Sequence, residues 1–333
     1  MLKISQKNTT QQSVPNWLSN PLNIFGLWIK ISSIAFVAVY TRATPTQPTW
    51  AVVLILWAAF ILVPIGIQQT AKRQERFSNT DYEFFFEFCA AVLLSISFCL
   101  EKGVTSGLLA IFYVVWCISY AFSQFFVFIR KSSKGKFISS STLLNLSFFI
   151  TWGFLANAAV WIVFDRFDYT PLNFSPWIVL LTGAHFHYAG FALMMSLTLL
   201  LSDKPNNFRA KLAIIAVIIG VVCTAAGITL TQLGFNPFLE TIAGVIMSCA
   251  GFLSGLVFFL ESFSQEQKSV TWLWRIGGLC LMCAMILALL YTLRTVFIVT
   301  FLNLGFMQAV HGTFNALGFG TLMLIGWSVK KRN

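Results

Sequence analysis

The sequence predicts an all-α integral membrane protein of about ten transmembrane helices, with the N- and C-termini cytoplasmic. Three observations predict it. First, the 333 residues are 57% hydrophobic and only 10% charged, whereas a soluble domain carries roughly 25% charged residues. So few charges cannot coat a water-facing surface of this size. The mean hydropathy of +0.79 points the same way. Second, apolar runs recur, most of them near the roughly 20 residues that cross the hydrocarbon. Third, the basic residues gather in short loops between those runs.

The runs cover residues 24–40, 50–68, 84–100, 106–129, 142–164, 176–201, 210–230, 239–260, 272–293 and 307–327. Helix is the only sensible assignment. Lipid offers the backbone no hydrogen bonds, so each run must satisfy its own amides, and the runs are too long for barrel strands. The first run is the weakest, because Lys30 interrupts it. That lysine either snorkels, faces the bundle, or marks a segment lying in the interface.

Orientation follows from the loops. With the N-terminus inside, the inner segments hold Lys3 and Lys7; Lys72, Arg73 and Arg76; Arg130, Lys131, Lys134 and Lys136; Lys204, Arg209 and Lys211; Lys268 and Arg275; and Lys330, Lys331 and Arg332. The outer segments hold Arg42, Lys102, Arg166 and Arg294. An odd number of spans would scramble this alternation. Residues 1–20 read as a polar cytoplasmic tail without a signal-peptide pattern, and residues 21–333 as a single transmembrane bundle. The formal charge of +11 is therefore a topology signal. No basic, aromatic-interleaved soluble segment is present to hold nucleic acid, so the expected partner is the lipid bilayer. The seven cysteines all sit in or at apolar runs and read as small hydrophobes.

Polar residues at membrane depth are costly and are functional candidates by default. The strongest group is Gly183-Ala184-His185-Phe186-His187-Tyr188. His185 lies about 9 residues from the start of its run at Pro176, roughly 14 Å at 1.5 Å per residue, close to the midplane. His185 and His187 diverge by about 200° on a helix, whereas Tyr188 shares the side of His185. One histidine should face a site and the other should bond a neighbouring helix. The last run carries Gln308, His311 and Asn315, the latter two on one face, and Glu240 opens the eighth run. All three histidines and Glu240 thus fall in the outer half. Glu83 and Glu87 read as interfacial, near Arg73 or Arg76, and Glu261 and Glu266 as solvated.

Two motifs carry a family resemblance. Leu181-Thr182-Gly183-Ala184-His185-Phe186-His187-Tyr188-Ala189-Gly190-Phe191 is similar to the histidine motif of the YndJ-like family of bacterial membrane proteins. His311-Gly312-Thr313-Phe314-Asn315-Ala316-Leu317-Gly318-Phe319 resembles the same family, as do Trp161, Arg166, Pro171-Leu172 and Leu62-Val63-Pro64-Ile65-Gly66. Met194 and Met195 stand where a more proline-containing stretch is expected. The resemblance implies a polytopic protein of the bacterial inner membrane and supplies no substrate. A weaker likeness links Ala184-His185-Phe186-His187-Tyr188 to the haem-ligand helix of haem–copper oxidase subunit I, but only His311 remains as a further histidine.

Three functions compete for these residues. The first is intramembrane acid–base chemistry on an apolar small molecule, of isomerase, cyclase or hydrolase type. There His185 and His311 act as acid or base, Glu240 is their partner, and Asn315 and Tyr188 are donors to a substrate oxygen. The second is a proton-coupled transporter using the same groups as a relay. The third is a metal or haem site built from His185, His187, His311 and Glu240. The sequence names no cofactor.

Overall fold

The computed structural model describes residues 20–74, 80–132, 140–295, 297 and 301–331. The tail with Lys3 and Lys7, and also Arg76, Lys134, Lys136 and Arg332, lie outside the described residues. The described chain is helical throughout its regular structure. In chain order the helices are α1 (Ile24–Tyr40), α2 (Thr49–Gln74), α3 (Thr80–Cys99), α4 (Val104–Ser132), α5 (Ser140–Arg166), α6 (Pro176–Asp203), α7 (Phe208–Gln232), α8 (Phe238–Ser262), α9 (Lys268–Thr292) and α10 (residues 304–329).

Eight of these, α2 to α9, are long and apolar enough to cross a membrane. Helix α1 is apolar but shorter, at 17 residues. Helix α10 is long but diluted by Gln308, His311, Asn315 and five glycines. Helix starts are marked by side-chain caps: Asn23, Ser175, Asn207 and Asn303 each accept backbone N–H bonds from the first turn.

Helix α2 is the centre of the bundle and is almost wholly buried. Helices α6 and α10 pack beside it, and α3 to α5 and α7 to α9 form neighbouring groups of antiparallel helices. Each of the three central helices contains a wide π turn: Ala58–Leu62 in α2, Phe186–Ala192 in α6, and Gln308–Gly312 and Phe314–Thr321 in α10. These segments touch one another. In α2 the cause is local. Pro64 has no N–H and crowds the carbonyl of the preceding turn, and the widened turn just before it relieves the clash. In α6 the His187 ring reaches back to the Gly183 carbonyl, and in α10 Asn315 and Thr321 reach back to the carbonyls of His311 and Ala316. Side chains thus hold backbone acceptors that the wide turns loosen.

The two ends of the bundle differ. At one end Asp203 of α6 binds Arg73 of α2 (3.3 Å) and Lys330 beyond α10 (2.8 Å). The same two cations lie over Trp327, and Lys330 also over Trp274. Lys204 meets Glu261 at 2.5 Å, and Lys211 donates to Ser140. Glu261, expected to be solvated, is in fact buried, because Lys204 and Asn207 both reach it. At the opposite end Asp165 binds Lys102 (2.6 Å) and Arg166, and Arg166 donates to the Leu100 carbonyl.

A second expectation is overturned in α3. Glu87 is not interfacial: it is 2% exposed, and it lies in the field of Lys30 on α1, also 2% exposed. Lys30 belongs to the buried stripe Gly26, Lys30, Ile34 and Val37, so it faces the bundle. Reading the 24–40 run alone could not choose this, because the partner is 57 residues away in sequence.

Two stability outcomes follow. Removing Glu87 alone (Glu87→Ala) takes away the carboxylate whose field reaches the buried Lys30 and should lose about 0.5–3 kcal/mol. The double variant Lys30→Leu with Glu87→Leu should recover most of it; thermal unfolding in detergent reads both. At the α8–α9 crossing, a Cβ on Gly278 would meet the Gly255 carbonyl at 2.7 Å and the Phe259 backbone nitrogen at 2.9 Å. Backbone cannot yield as a side chain can, so Gly278→Val should destabilise by about 1–3 kcal/mol or more, measured the same way.

Candidate functional site

The five residues singled out from the sequence line one cavity. His185 and Tyr188 reach it from α6, Glu240 from α8, and His311 and Asn315 from α10. Its volume is about 230 Å³. The walls are mostly apolar, with Leu54, Leu181, Met247, Leu281 and Met285 among them. The cavity occupies the half of the bundle remote from the Asp203 end, since Glu240 and Arg294 stand at its rim.

Each polar side chain has a definite duty there. The His311 ring donates from Nδ1 to the Ala284 carbonyl on α9 at 2.9 Å, because a carbonyl can only accept. Its Nε2 then accepts from Asn315 Nδ2 at 3.0 Å, and the same amide also donates to the His311 carbonyl. One tautomer of His311 is therefore fixed from both sides. Tyr188 donates its hydroxyl to the Leu54 carbonyl of α2 at 2.6 Å. Asn315 and Tyr188, expected as donors to a substrate oxygen, thus spend their donors inside the protein. They position; they do not reach out.

His185 is different. Its ring stacks near that of His311, with centroids 6.0 Å apart and planes 23° from parallel. It keeps accessible surface because it faces the cavity. Among the described residues it makes no hydrogen bond. It is the one histidine whose nitrogens are available to a guest. His187 points the other way, as the helical geometry demands. Its Nδ1 donates to the Gly183 carbonyl (2.8 Å) and its Nε2 accepts from Tyr113 of α4 (3.1 Å), fully buried.

Glu240 pairs with Arg294 at 3.7 Å, both about one-third exposed. Arg294, read from the sequence only as an outer cation, belongs to the cavity rim, and so does Tyr291, whose ring lies 3.8 Å beneath the guanidinium. No periodicity argument could find Arg294, since it lies past the end of α9. Gln308 is a structural staple. It accepts from Trp177 (2.8 Å) and donates to the Pro45 and Gln47 carbonyls, joining α6, α10 and the α1–α2 loop. Trp50 and Trp57 of α2 donate to Thr313 and Thr321 of α10, joining the two helices.

The metal reading needs His187 at the cavity, and the structure withholds it. Among the described residues no three His, Cys, Asp or Glu side chains lie close enough together to hold a metal ion.

The fold and cavity define a class, a polytopic helical membrane protein with a histidine-containing cavity inside one half of its bundle. Within that class the chain belongs to the YndJ-like protein family, whose model matches residues 52–319. It is also 25% identical over 223 residues to the "Uncharacterized membrane protein YndJ" of Bacillus subtilis (strain 168). That alignment takes in 66% of this chain and 38% of the relative, so the chain spans well under half of the relative's length. No solved structure matches.

One outcome tests the assignment of duties. Asn315→Leu removes the donor to His311 Nε2 while the Ala284 carbonyl still holds Nδ1. Protein NMR of histidine side chains should then show the His311 Nε2 signal shifted, with its tautomer and the His187 signals unchanged. An unaltered His311 signal would mean that Asn315 does not hold it.

Proposed function

We propose that the protein carries out acid–base chemistry on an apolar small molecule within the outer half of the bilayer. The observation that carries this reading is His185, without a hydrogen bond among the described residues, facing a cavity beside an immobilised His311. A side chain that must give and take a proton needs a free nitrogen and a fixed setting, and general acid–base catalysis by such a group is worth roughly 10²–10⁴ in rate. His185 is the proton acceptor and donor. His311, clamped by Ala284 and Asn315, presents its ring as a fixed wall beside it. Glu240 and Arg294 set the polarity at the rim. The apolar walls favour a hydrocarbon guest, with isomerisation, cyclisation or hydrolysis as the classes of reaction open to it.

The reading includes an orientation. The end with Asp203, Lys204, Lys211 and Lys330 faces the cytoplasm by the excess of cations there, all ten helices cross, and the cavity opens toward the exterior side of a bacterial inner membrane.

A second reading, proton-coupled transport, draws on one observation. The three central helices are tied together at the basic end by Asp203 while the cavity lies at the other end, the arrangement of a carrier closed on one side.

The two readings part in one experiment. Membranes from cells expressing the protein, its His185→Ala variant, or neither are compared by mass spectrometry of their total lipid and apolar extract. Acid–base chemistry predicts a substrate–product pair altered by the wild-type chain and unaltered, within about the 10²–10⁴ rate factor above, by His185→Ala at equal expression. Identical extracts from wild type and variant sink the enzymatic reading. In vesicles, uptake driven by a pH gradient and lost in Asp203→Asn would favour the carrier instead.

A further inference from the structure

How a guest reaches His185 is written in the way α6 and α7 separate. Helix α7 packs on α6 along the inner part of α6, from Phe186 to Asp203. The outer part of α6, Pro176–His185, packs instead on α5 and on the start of α2. The outer half of α7 nevertheless contributes Thr224 and Ile228 to the cavity wall, which Leu181 and His185 also line. Ile228 and His185 both retain exposed surface. Above this gap the helices are joined again: Gln232, at the end of α7, donates to the carbonyls of Leu172 and Asn173 in the turn Pro171–Asn173 that precedes α6. The gap is therefore bounded below by the α6–α7 packing and above by Gln232. The gap lies beside His185, about 9 residues and so roughly 14 Å along the axis from the start of α6.

The rim adds a second piece of chemistry. Glu240 and Arg294 carry opposite charges 3.7 Å apart, and each is about one-third exposed. An exposed pair of this kind contributes little to stability, so both charges can be given to a guest. A phosphate would take the arginine, which suits it in geometry, and an ammonium would take the glutamate. A cavity of about 230 Å³ is below the roughly 300–1,000 Å³ that encloses a whole drug-sized ligand. It takes one chain of a larger molecule, with the rest outside.

We propose that the α6–α7 gap is a lateral window through which a zwitterionic, single-chain phospholipid of the outer leaflet enters, its chain beside His185 and its phosphate and ammonium on Arg294 and Glu240. This rests on the reading of the cavity as a substrate site and names the class of molecule it takes.

The full chain is reconstituted in phosphatidylcholine vesicles doped with either lysophosphatidylethanolamine or lysophosphatidylglycerol, released into a mild detergent, and weighed by native mass spectrometry. The wild type should retain one lysophosphatidylethanolamine per chain and much less of the anionic lysolipid. Ile228→Trp, which fills the window, and Arg294→Gln, which removes the phosphate partner from an exposed position, should each lower retention about tenfold or more. Gel filtration checks that each variant is folded, and the surface variant keeps the test valid should the tryptophan variant fail to fold. Equal retention of both lysolipids, or retention untouched by Arg294→Gln, overturns the proposal. Extract turnover is measured beside it. Turnover that needs His185 without lysolipid retention removes the window and leaves the chemistry, whereas retention with turnover indifferent to His185 removes the chemistry.

Discussion

Lipid cannot hydrogen-bond. Everything else in this structure depends on that constraint. It forces the backbone into helices, and it favours polar side chains that find a partner in another helix or in their own backbone. Lys30 finds the field of Glu87, Tyr113 finds His187, Tyr188 finds Leu54, and His311 finds Ala284 and Asn315. Beside these cavity groups His185 differs: it makes no hydrogen bond among the described residues, while Tyr188, His311 and Asn315 around it are all bonded.

The same constraint explains why the three central helices are irregular. A regular α-helix engages each interior carbonyl once, so a neighbour's donor can only share it, as His311 shares that of Ala284. The wide turns of α2, α6 and α10 loosen that arrangement where the helices touch, and side chains take up the slack. Wide turns of this kind often accompany functional sites. Here they set the azimuth of His185 and His187 on one helix and of His311 and Asn315 on another, so that the cavity receives His185 and His311 and excludes His187.

Much of the architecture was legible in the sequence, and the reasons are physical. The helices were legible because hydrocarbon thickness sets their length, and the Ile24–Tyr40 run was placed to the residue. The convergence of His185, Tyr188, Glu240, His311 and Asn315 on one cavity was anticipated from depth and helical face. The duties of Tyr188 and Asn315 were not, because a donor's partner can be a carbonyl on any helix, and carbonyls leave no trace in sequence. Glu87 was misread for the same kind of reason. Lys30, whose field reaches it, lies on a different helix 57 residues away, and the pattern of α3 alone favours the nearer arginines. Arg294 escaped notice as a rim residue because it follows the end of α9, where no periodicity applies.

The wide turns have one more consequence. Each holds an extra residue relative to a regular helix, and the residues beyond it are turned by about the 100° that one residue occupies. Among homologous chains these places should appear as one-residue gaps in otherwise continuous hydrophobic runs. A relative missing that residue in α6 would keep His185 where it is and turn the helix beyond the wide turn by about a quarter turn, so descent could re-aim the inner half of α6 by deleting a single codon.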